Sequence, residues 1–328
     1  MAVSGTVSQT TFNTRKVIDH AFRRCRLPPE GVAAEQLQVA QETLYLILSR
    51  LANRGLQLWC IDKVILPMYE NMASVPAPVG TVDLLNTNLR TMQYLTGVAT
   101  GTATTSSLFV ASGAIVTTIG VQWSAASAPF VIEWSNDGLT WTTIETIANP
   151  NLNAGAWTWA DIDGSVNATY WRVRVTLGVL SQSSVLFGNT PNEIVMARLN
   201  RDSYSTLPNK TFQGRPLQFW LDRQVDQPFL YIWPVPNAAF EIAQIVTYVK
   251  RYIMDVGTLA QEIEVPQRWY DAIVYLLAAE MAEQLPAIDP NMAALLDQKA
   301  QRSLLEAEEE ERDNSPVYFT PNIGVYTR

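Results

Sequence analysis

Apolar residues spaced three and four apart predict a pair of helices in residues 265–312. Pro266 suits the start of the first helix, because a first helical residue needs no N–H partner. The stripe of this helix comprises Trp269, Ile273, Leu276, Leu277 and Met281. Leu285-Pro286 ends it, Asp289-Pro290 begins the next, and Leu295, Leu296, Ala300 and Leu304 form a narrower stripe. Two such helices need another layer to cover them.

The N-terminal region predicts that layer. One helix begins at Asn13-Thr14 and runs to about Arg26, where Pro28-Pro29 follow. A second covers residues 34–54, and Gly55 stands at the usual left-handed position after its end. We therefore expect four helices, drawn from both ends of the chain, in one layer.

Period-two patterns between the helices predict strands. Segments 58–69, 216–222, 229–233 and 240–252 are expected to form one small sheet under the helices, with a short piece at 79–85. Between Gly97 and Thr190 the composition changes, and the basic residues there are Arg172 and Arg174. The strand patterns of this segment are 121–123, 130–135, 139–146, 170–176 and 184–187. Asn136-Asp137-Gly138 is a hairpin signal.

These patterns predict an α+β fold: a helical bundle from both chain ends packed on a small β-sheet, with an inserted antiparallel β-sandwich. Residues 1–96 and 191–312 form the expected core, and residues 97–190 the self-contained insert. Residues 313–328 form an extended C-terminal tail that lacks a helical period yet carries large apolar groups. An exposed tail rarely keeps so many.

Composition narrows the function classes. The 328 residues are 48% hydrophobic and 16% charged, and the net charge of −8 argues against broad binding of nucleic acid. A surface that repels DNA and lets it pass stays compatible with this charge. Cys25 and Cys60 are expected to be buried thiols, with a disulfide as the alternative. The sequence predicts neither a signal peptide nor a membrane span.

The residues suggest no catalytic constellation, cofactor site or zinc site. His20 lies in a basic helix, Cys60 lacks an evident activating base, and the sequence contains no phosphate-binding glycine loop. Asp161 and Asp163 are expected in a turn at the edge of the sandwich, with calcium binding or acid/base chemistry as the alternative. We therefore expect a protein that is not an enzyme.

Two other groups of residues are candidates for binding. An acidic run, Glu308, Glu309, Glu310 and Glu311, ends the last helix, where negative charge opposes the helix dipole. The basic residues Arg15, Lys16, Arg23 and Arg24 of the first helix offer a partner, either within one subunit or on a neighbouring copy. In the insert, core packing accounts for two or three of the tryptophans, and Trp157 and Trp159 are possible glycan contacts.

Four runs resemble head-to-tail connector (adaptor) proteins of short-tailed phages. They are residues 204–210 (YSTLPNK), 214–220 (GRPLQFW), 231–236 (YIWPVP) and 265–269 (VPQRW). The helix and apolar strand around residues 44–58 are similar to the same family. The resemblance covers about residues 14–95 and 191–328.

The resemblance implies a virion protein without catalysis, assembled in the host cytoplasm. Such adaptors form a ring, commonly of twelve copies, beneath the portal protein, extend the DNA channel and support the tail nozzle or fibres. Double-stranded DNA passes through without specific binding. The implied portal-binding residues are Pro316, Tyr318, Phe319, Pro321, Ile323, Val325 and Tyr326.

The insert departs from simple members of that family. Residues 130–141 (FVIEWSNDGLTW) and 170–175 (YWRVRV) resemble discoidin-like jelly-roll modules, which often bind carbohydrate. This resemblance implies an alternative function, a carbohydrate-binding or fibre-anchoring tail protein that acts through the inserted sandwich.

Overall fold

The computed structural model has helices near both chain ends, and the chain between them forms sheets whose strand pairs are mostly antiparallel. It describes residues 12–28, 31–54, 58–96, 98–103, 106–110, 115–123, 129–147, 157–175, 182–254, 256–285 and 288–311. The helices are α1 (Thr14–Arg24), α2 (Ala34–Arg54), α3 (Arg201–Ser205), α4 (Tyr270–Gln284) and α5 (Pro290–Glu310). Residues Leu58–Cys60, Ala238–Phe240 and Gln267–Trp269 form 3₁₀ turns.

The strands follow in chain order. They are β1 (Ile61–Pro67), β2 (Ser74–Pro76), β3 (Thr81–Thr96), β4 (Val98–Ala103), β5 (Ser106–Val110), β6 (Ile115–Trp123), β7 (Phe130–Ser135), β8 (Thr142–Ile147), β9 (Trp157–Asn167), β10 (Tyr170–Val175), β11 (Gln182–Val195), β12 (Ala197–Arg198), β13 (Gln213–Gly214), β14 (Gln218–Asp222), β15 (Phe229–Trp233), β16 (Val235–Pro236) and β17 (Gln244–Arg251). The α+β class predicted from the sequence is confirmed.

The chain divides into two compact units. The first comprises Met1–Ile61 and Tyr252–Arg328, and the second is Asp62–Arg251. In the first unit, side chains of α1, α2, α4 and α5 share one hydrophobic cluster, in which Phe22, Leu44, Trp269 and Leu304 are buried. The structure therefore brings apolar stripes from both ends of the sequence into one core.

Side-chain caps define where these helices begin. Asn13 accepts a hydrogen bond from the Lys16 amide at 2.9 Å, and Asp289 accepts one from the Asn291 amide at 3.0 Å. Both caps satisfy donors that the first helical turn leaves without partners. Helix α1 ends at Arg24, and Arg26 adopts a left-handed φ of 62° just beyond it.

Two sheets form the sandwich of the second unit. The six-stranded sheet has the order β1-β17-β3-β11-β6-β9, and the five-stranded sheet has the order β4-β5-β10-β7-β8. Between them lie the inward side chains of β6, β9 and β11 on one side and of β7 and β10 on the other, including Val121, Phe130, Trp171 and Phe187. The prediction of an antiparallel β-sandwich is confirmed, and so is the β7–β8 hairpin, where Gly138 has a φ of 72°.

The sheet connections differ from the predicted ones in two ways. Strand β11 pairs with β3 and with β6, so strands on both sides of residues 97 and 190 share one sheet, and the insert is not self-contained. The small sheet expected from four segments is also divided. β1 and β17 belong to the six-stranded sheet, whereas β14 and β15 pair within a separate sheet of order β12-β14-β15-β2. The alternation of apolar and polar residues in a strand indicates which of its faces is buried, but it does not indicate which other strand pairs with it.

Candidate functional site

A cavity of about 690 Å³ lies in the second unit, beside the two edge strands of the six-stranded sheet. Residues 63–67 of β1 form one wall, and residues 157–161 of β9 form another. Residues 76–79, Glu145, Ile147 and Gln227 complete the lining. The volume falls within the range of about 300–1,000 Å³ that is typical of ligand pockets.

Three aromatic rings pack together beside this cavity, two of them stacked and the third tilted. The ring centroids of Trp157 and Trp159 are 5.2 Å apart with an interplanar angle of 20°, and Trp159 is 5.6 Å from Tyr94. The strand partner of Trp159 is Gly120, where an added Cβ would lie 2.3 Å from the indole ring, so only glycine leaves room for it. Trp157 is 7% exposed and Trp159 is 8% exposed. The sequence-predicted glycan contacts are therefore largely enclosed, although both line the cavity.

A charged network continues from these aromatic rings along the same face of β9. Arg90 of β3 is 4% exposed, and it donates to Asp161 Oδ1 and to Glu193 Oε1, each at 2.7 Å. Asp161 also accepts from Lys63 and from the Thr118 hydroxyl. Burial would raise the pKa of Asp161, but these hydrogen bonds and the Arg90 charge lower it below its usual value.

Asp161 therefore has a role that sequence analysis missed. It lies within β9, so the prediction of a turn at residues 161–163 is wrong. Its carboxylate forms ion pairs with Arg90 of β3 and Lys63 of β1, and these pairs connect β9 to two other strands. Among the described residues, no group of three or more His, Cys, Asp or Glu side chains is placed to hold a metal ion.

The predicted basic residues lie on the surface of α1. Arg15 pairs with Asp19 at 2.9 Å, and Arg24 lies 3.5 Å from Asp271 with its guanidinium over the Tyr275 ring. Lys16 and Arg23 are exposed. Two of the four predicted cations therefore have acidic neighbours within the subunit.

The acidic run at the end of α5 divides into surface and buried residues. Glu309 and Glu310 are exposed, and Glu308 is half-buried. Glu311 is 3% exposed, and its Oε2 accepts hydrogen bonds from Arg268 Nε at 3.0 Å and from the Trp269 indole at 3.3 Å. Glu311 is therefore not part of an exposed acidic surface, because Arg268, 43 positions away in the same chain, binds it.

The outer surfaces of α2 and α5 carry exposed apolar side chains. Leu46 is 64% exposed and Leu305 is 59% exposed. The others on these helices are Val39, Tyr45 and Leu295. Sequence periodicity identified Leu295 as part of an inward stripe, yet the structure places it on the surface.

Several other predicted features have different outcomes. Cys25 and Cys60 are buried and form no disulfide, as predicted, and burial raises the pKa of the Cys25 thiol to about 11. The tail residues predicted to bind the portal lie outside the described residues. Within the described part of the chain, no helix is both long and apolar enough to cross a bilayer.

No protein-family model matches the chain, and no curated protein matches it. Parts of the chain are similar to solved carbohydrate-binding modules. Module CBM32-1 from a family 31 glycoside hydrolase of Clostridium perfringens is 10% identical, covering 26% of this chain and 68% of the module, with a TM-score of 0.23. Chitosan-binding module 2 from a chitosanase/glucanase of Paenibacillus sp. IK-5, solved with chitotriose, is 19% identical, covering 36% of this chain and 92% of the module, with a TM-score of 0.21.

Proposed function

We propose that this chain is a non-catalytic structural protein of a phage particle. In this proposal, copies form a ring-shaped head-to-tail adaptor under the portal protein, extend the DNA channel and support the tail nozzle or fibres. Helices from both chain ends form the bundle of each subunit. The observation that carries the proposal is the set of large apolar side chains exposed on α2 and α5.

These exposed side chains favour contact between copies. Leu46 and Leu305 are more than half exposed even though both helices contribute to the hydrophobic core. Large apolar side chains exposed on the surface of a helix are candidates for an interaction site, and a closed ring covers such side chains on every subunit. The partner of α2 in the proposed ring is therefore the α5 surface of a neighbouring copy.

Surface charges support the same arrangement. Lys16 and Arg23 are exposed on α1, while Glu309 and Glu310 are exposed at the end of α5. Opposite charges on two patches favour head-to-tail association of identical subunits, and they steer its orientation more than its affinity.

Native mass spectrometry of the full-length protein tests this proposal. We expect a particle whose mass is a multiple of the 36.5 kDa chain, with twelve copies as the leading expectation. Deletion of residues 316–328 should abolish binding to purified portal protein while the particle mass per copy changes only by the deleted segment. A stable monomer that does not assemble with portal protein would refute the adaptor, and normal docking of the truncated chain would refute the role of the tail.

The alternative function is carbohydrate binding or fibre anchoring through the sandwich. One observation favours it, namely that Trp157 and Trp159 line a cavity of about 690 Å³. Because the two indole rings stack on each other, Tyr94 packs at an angle against Trp159, and both indoles are less than 10% exposed, they leave little indole face for a sugar ring. Anchoring of a protein segment is therefore the better-supported form of the alternative. A glycan array with the full-length chain distinguishes the two, since only carbohydrate binding predicts a signal.

A further inference from the structure

The six-stranded sheet curls so that its two edges approach each other. Strands β1 and β9 stand at opposite ends of the strand order, yet Lys63 of β1 forms an ion pair with Asp161 of β9. The cavity lies between these two edges, and consecutive residues of both strands form its walls. We call this gap the seam. Among the described strands, β1 and β9 each have a strand partner on one side only, and the other side of each faces the seam.

The direction of the β9 main chain follows from one hydrogen bond. The Trp157 amide donates to the Tyr69 hydroxyl at 2.8 Å, so it points away from β6. In an antiparallel ladder, alternate residues direct their N–H and C=O groups to the same side. The register from Trp157 to Asp161 is regular, so Trp159 and Asp161 also direct their main-chain groups away from β6.

We propose that an extended segment of another protein adds to this edge and pairs with the main chain of Trp159 and Asp161 in β9, since the Trp157 amide already donates to the Tyr69 hydroxyl. Edge strands are templates for pairing, and in β-strand addition the main chain supplies affinity while alternate side chains fill pockets. The lining offers apolar contacts from Val64 and Ile147, which are half-buried, and from Val79, which is exposed. The segment therefore carries apolar residues at alternate positions.

The geometry favours a peptide over other occupants. A helix satisfies its own main-chain groups and has none to offer a sheet edge. A sugar needs an open aromatic face, whereas Trp159 is enclosed between Trp157 and Tyr94. This inference deepens the fibre-anchoring alternative, on which it rests, and it is independent of ring formation.

The test uses the full-length chain and a defined set of ten-residue synthetic peptides. In each peptide, valine or isoleucine alternates with threonine or lysine, and a scrambled peptide of the same composition is its control. We expect at least one alternating peptide to bind at least tenfold more tightly than its scramble. Hydrogen exchange should then slow at the amides of Trp159 and Asp161.

Two matched variants locate the site. Val79 is 76% exposed and lines the cavity, whereas Val195 is 74% exposed and does not. Val79→Asp should weaken peptide binding at least tenfold, while Val195→Asp should leave it unchanged. Both side chains are exposed, so neither variant should disturb folding, and native mass spectrometry checks assembly separately.

Three results would overturn the inference. The first is that no alternating peptide binds better than its scramble, or that protection appears away from residues 157–161. The second is that chitotriose protects this strand and displaces the peptide, which would keep the sandwich as a binding unit but make its ligand a sugar. The third is protection that rises with the concentration of the chain alone, which would make a second copy the occupant.

Discussion

At the scale of single residues, buried charges are the feature that the sequence concealed. Three charged side chains are at most 4% exposed, namely those of Arg90, Glu133 and Glu311. Each of them forms an ion pair with at least one residue of opposite charge. Their partners lie from 39 to 103 positions away along the chain. Local patterns contain no information about pairs at such separations, so none of these pairs was predicted from the sequence.

Glu133 makes the energetic consequence measurable. Its carboxylate accepts from Arg172 Nε at 2.7 Å and from Arg174 Nη2 at 3.0 Å. Burial would raise the pKa of Glu133, but the two arginines outweigh burial and lower it. A carboxylate with a lowered folded-state pKa adds stability above its unfolded pKa, about 4.3, and that stability is lost as the pH falls through the folded-state pKa.

We therefore predict that Glu133→Gln lowers the free energy of unfolding by about 1.5–3 kcal/mol at pH 7. The difference from the wild type should shrink as the pH falls below about 5, because the Glu133 carboxyl of the unfolded wild-type chain takes up a proton at a higher pH than that of the folded chain. Urea unfolding monitored at several pH values measures both effects. Glu309→Gln, at an exposed position, is the control and should change little. A deficit that is constant with pH would show that the charge of Glu133 contributes no stability.

At the scale of elements, helices were predicted more accurately than strands. Helix α2 has the predicted bounds, and α5 begins at the predicted Asp289-Pro290 cap, because caps and prolines mark helix ends locally. Strands β4, β5 and β9 were missed, since serine, threonine, glycine and aspartate obscure their alternation. Strand order was also unpredictable, because β11 joins β3 to β6 across a long separation in sequence.

The end of α5 combines an unfavourable and a favourable acidic residue. Exposed Glu310 opposes the helix dipole, so Glu310→Ala should raise stability by about 0.3–1 kcal/mol at low salt. Glu311→Ala should instead lower stability by about 1–3 kcal/mol, because the buried Trp269 indole N–H loses its acceptor and Arg268 loses its partner.

Differential scanning calorimetry of Glu310→Ala and Glu311→Ala tests whether the two substitutions change stability in opposite directions. Adding 1 M salt should reduce only the increase in stability of Glu310→Ala. If Glu311→Ala fails to lower stability, the hydrogen bonds of Glu311 are not what holds the end of α5, and if Glu310→Ala lowers stability, the helix-dipole argument for Glu310 is wrong.

At the scale of the whole molecule, each unit carries a surface feature that its own fold does not use. The first unit exposes apolar side chains on α2 and α5. The second unit has two strand edges beside one cavity. The sequence predicted that helical faces need covering, but periodicity alone did not separate residues that face the core from those that face outward. Only the structure distinguishes Leu296, which is buried, from its neighbour Leu295, which is exposed.

The exposed helical faces give the sharpest test of assembly. In the proposed ring, Leu46 of one copy and Leu305 of the next lose their contact with water, so charges at both positions would be buried without partners. The double variant Leu46→Glu and Leu305→Glu should therefore yield monomers in sedimentation velocity and native mass spectrometry. Its circular dichroism should match the wild type, since both side chains are exposed in the single chain.

Leu139→Glu is the matched control, because Leu139 is 85% exposed in the β7–β8 hairpin. A particle that keeps its mass in the double variant would place the subunit interface elsewhere, whereas loss of the particle in both variants would indicate a general effect of added charge.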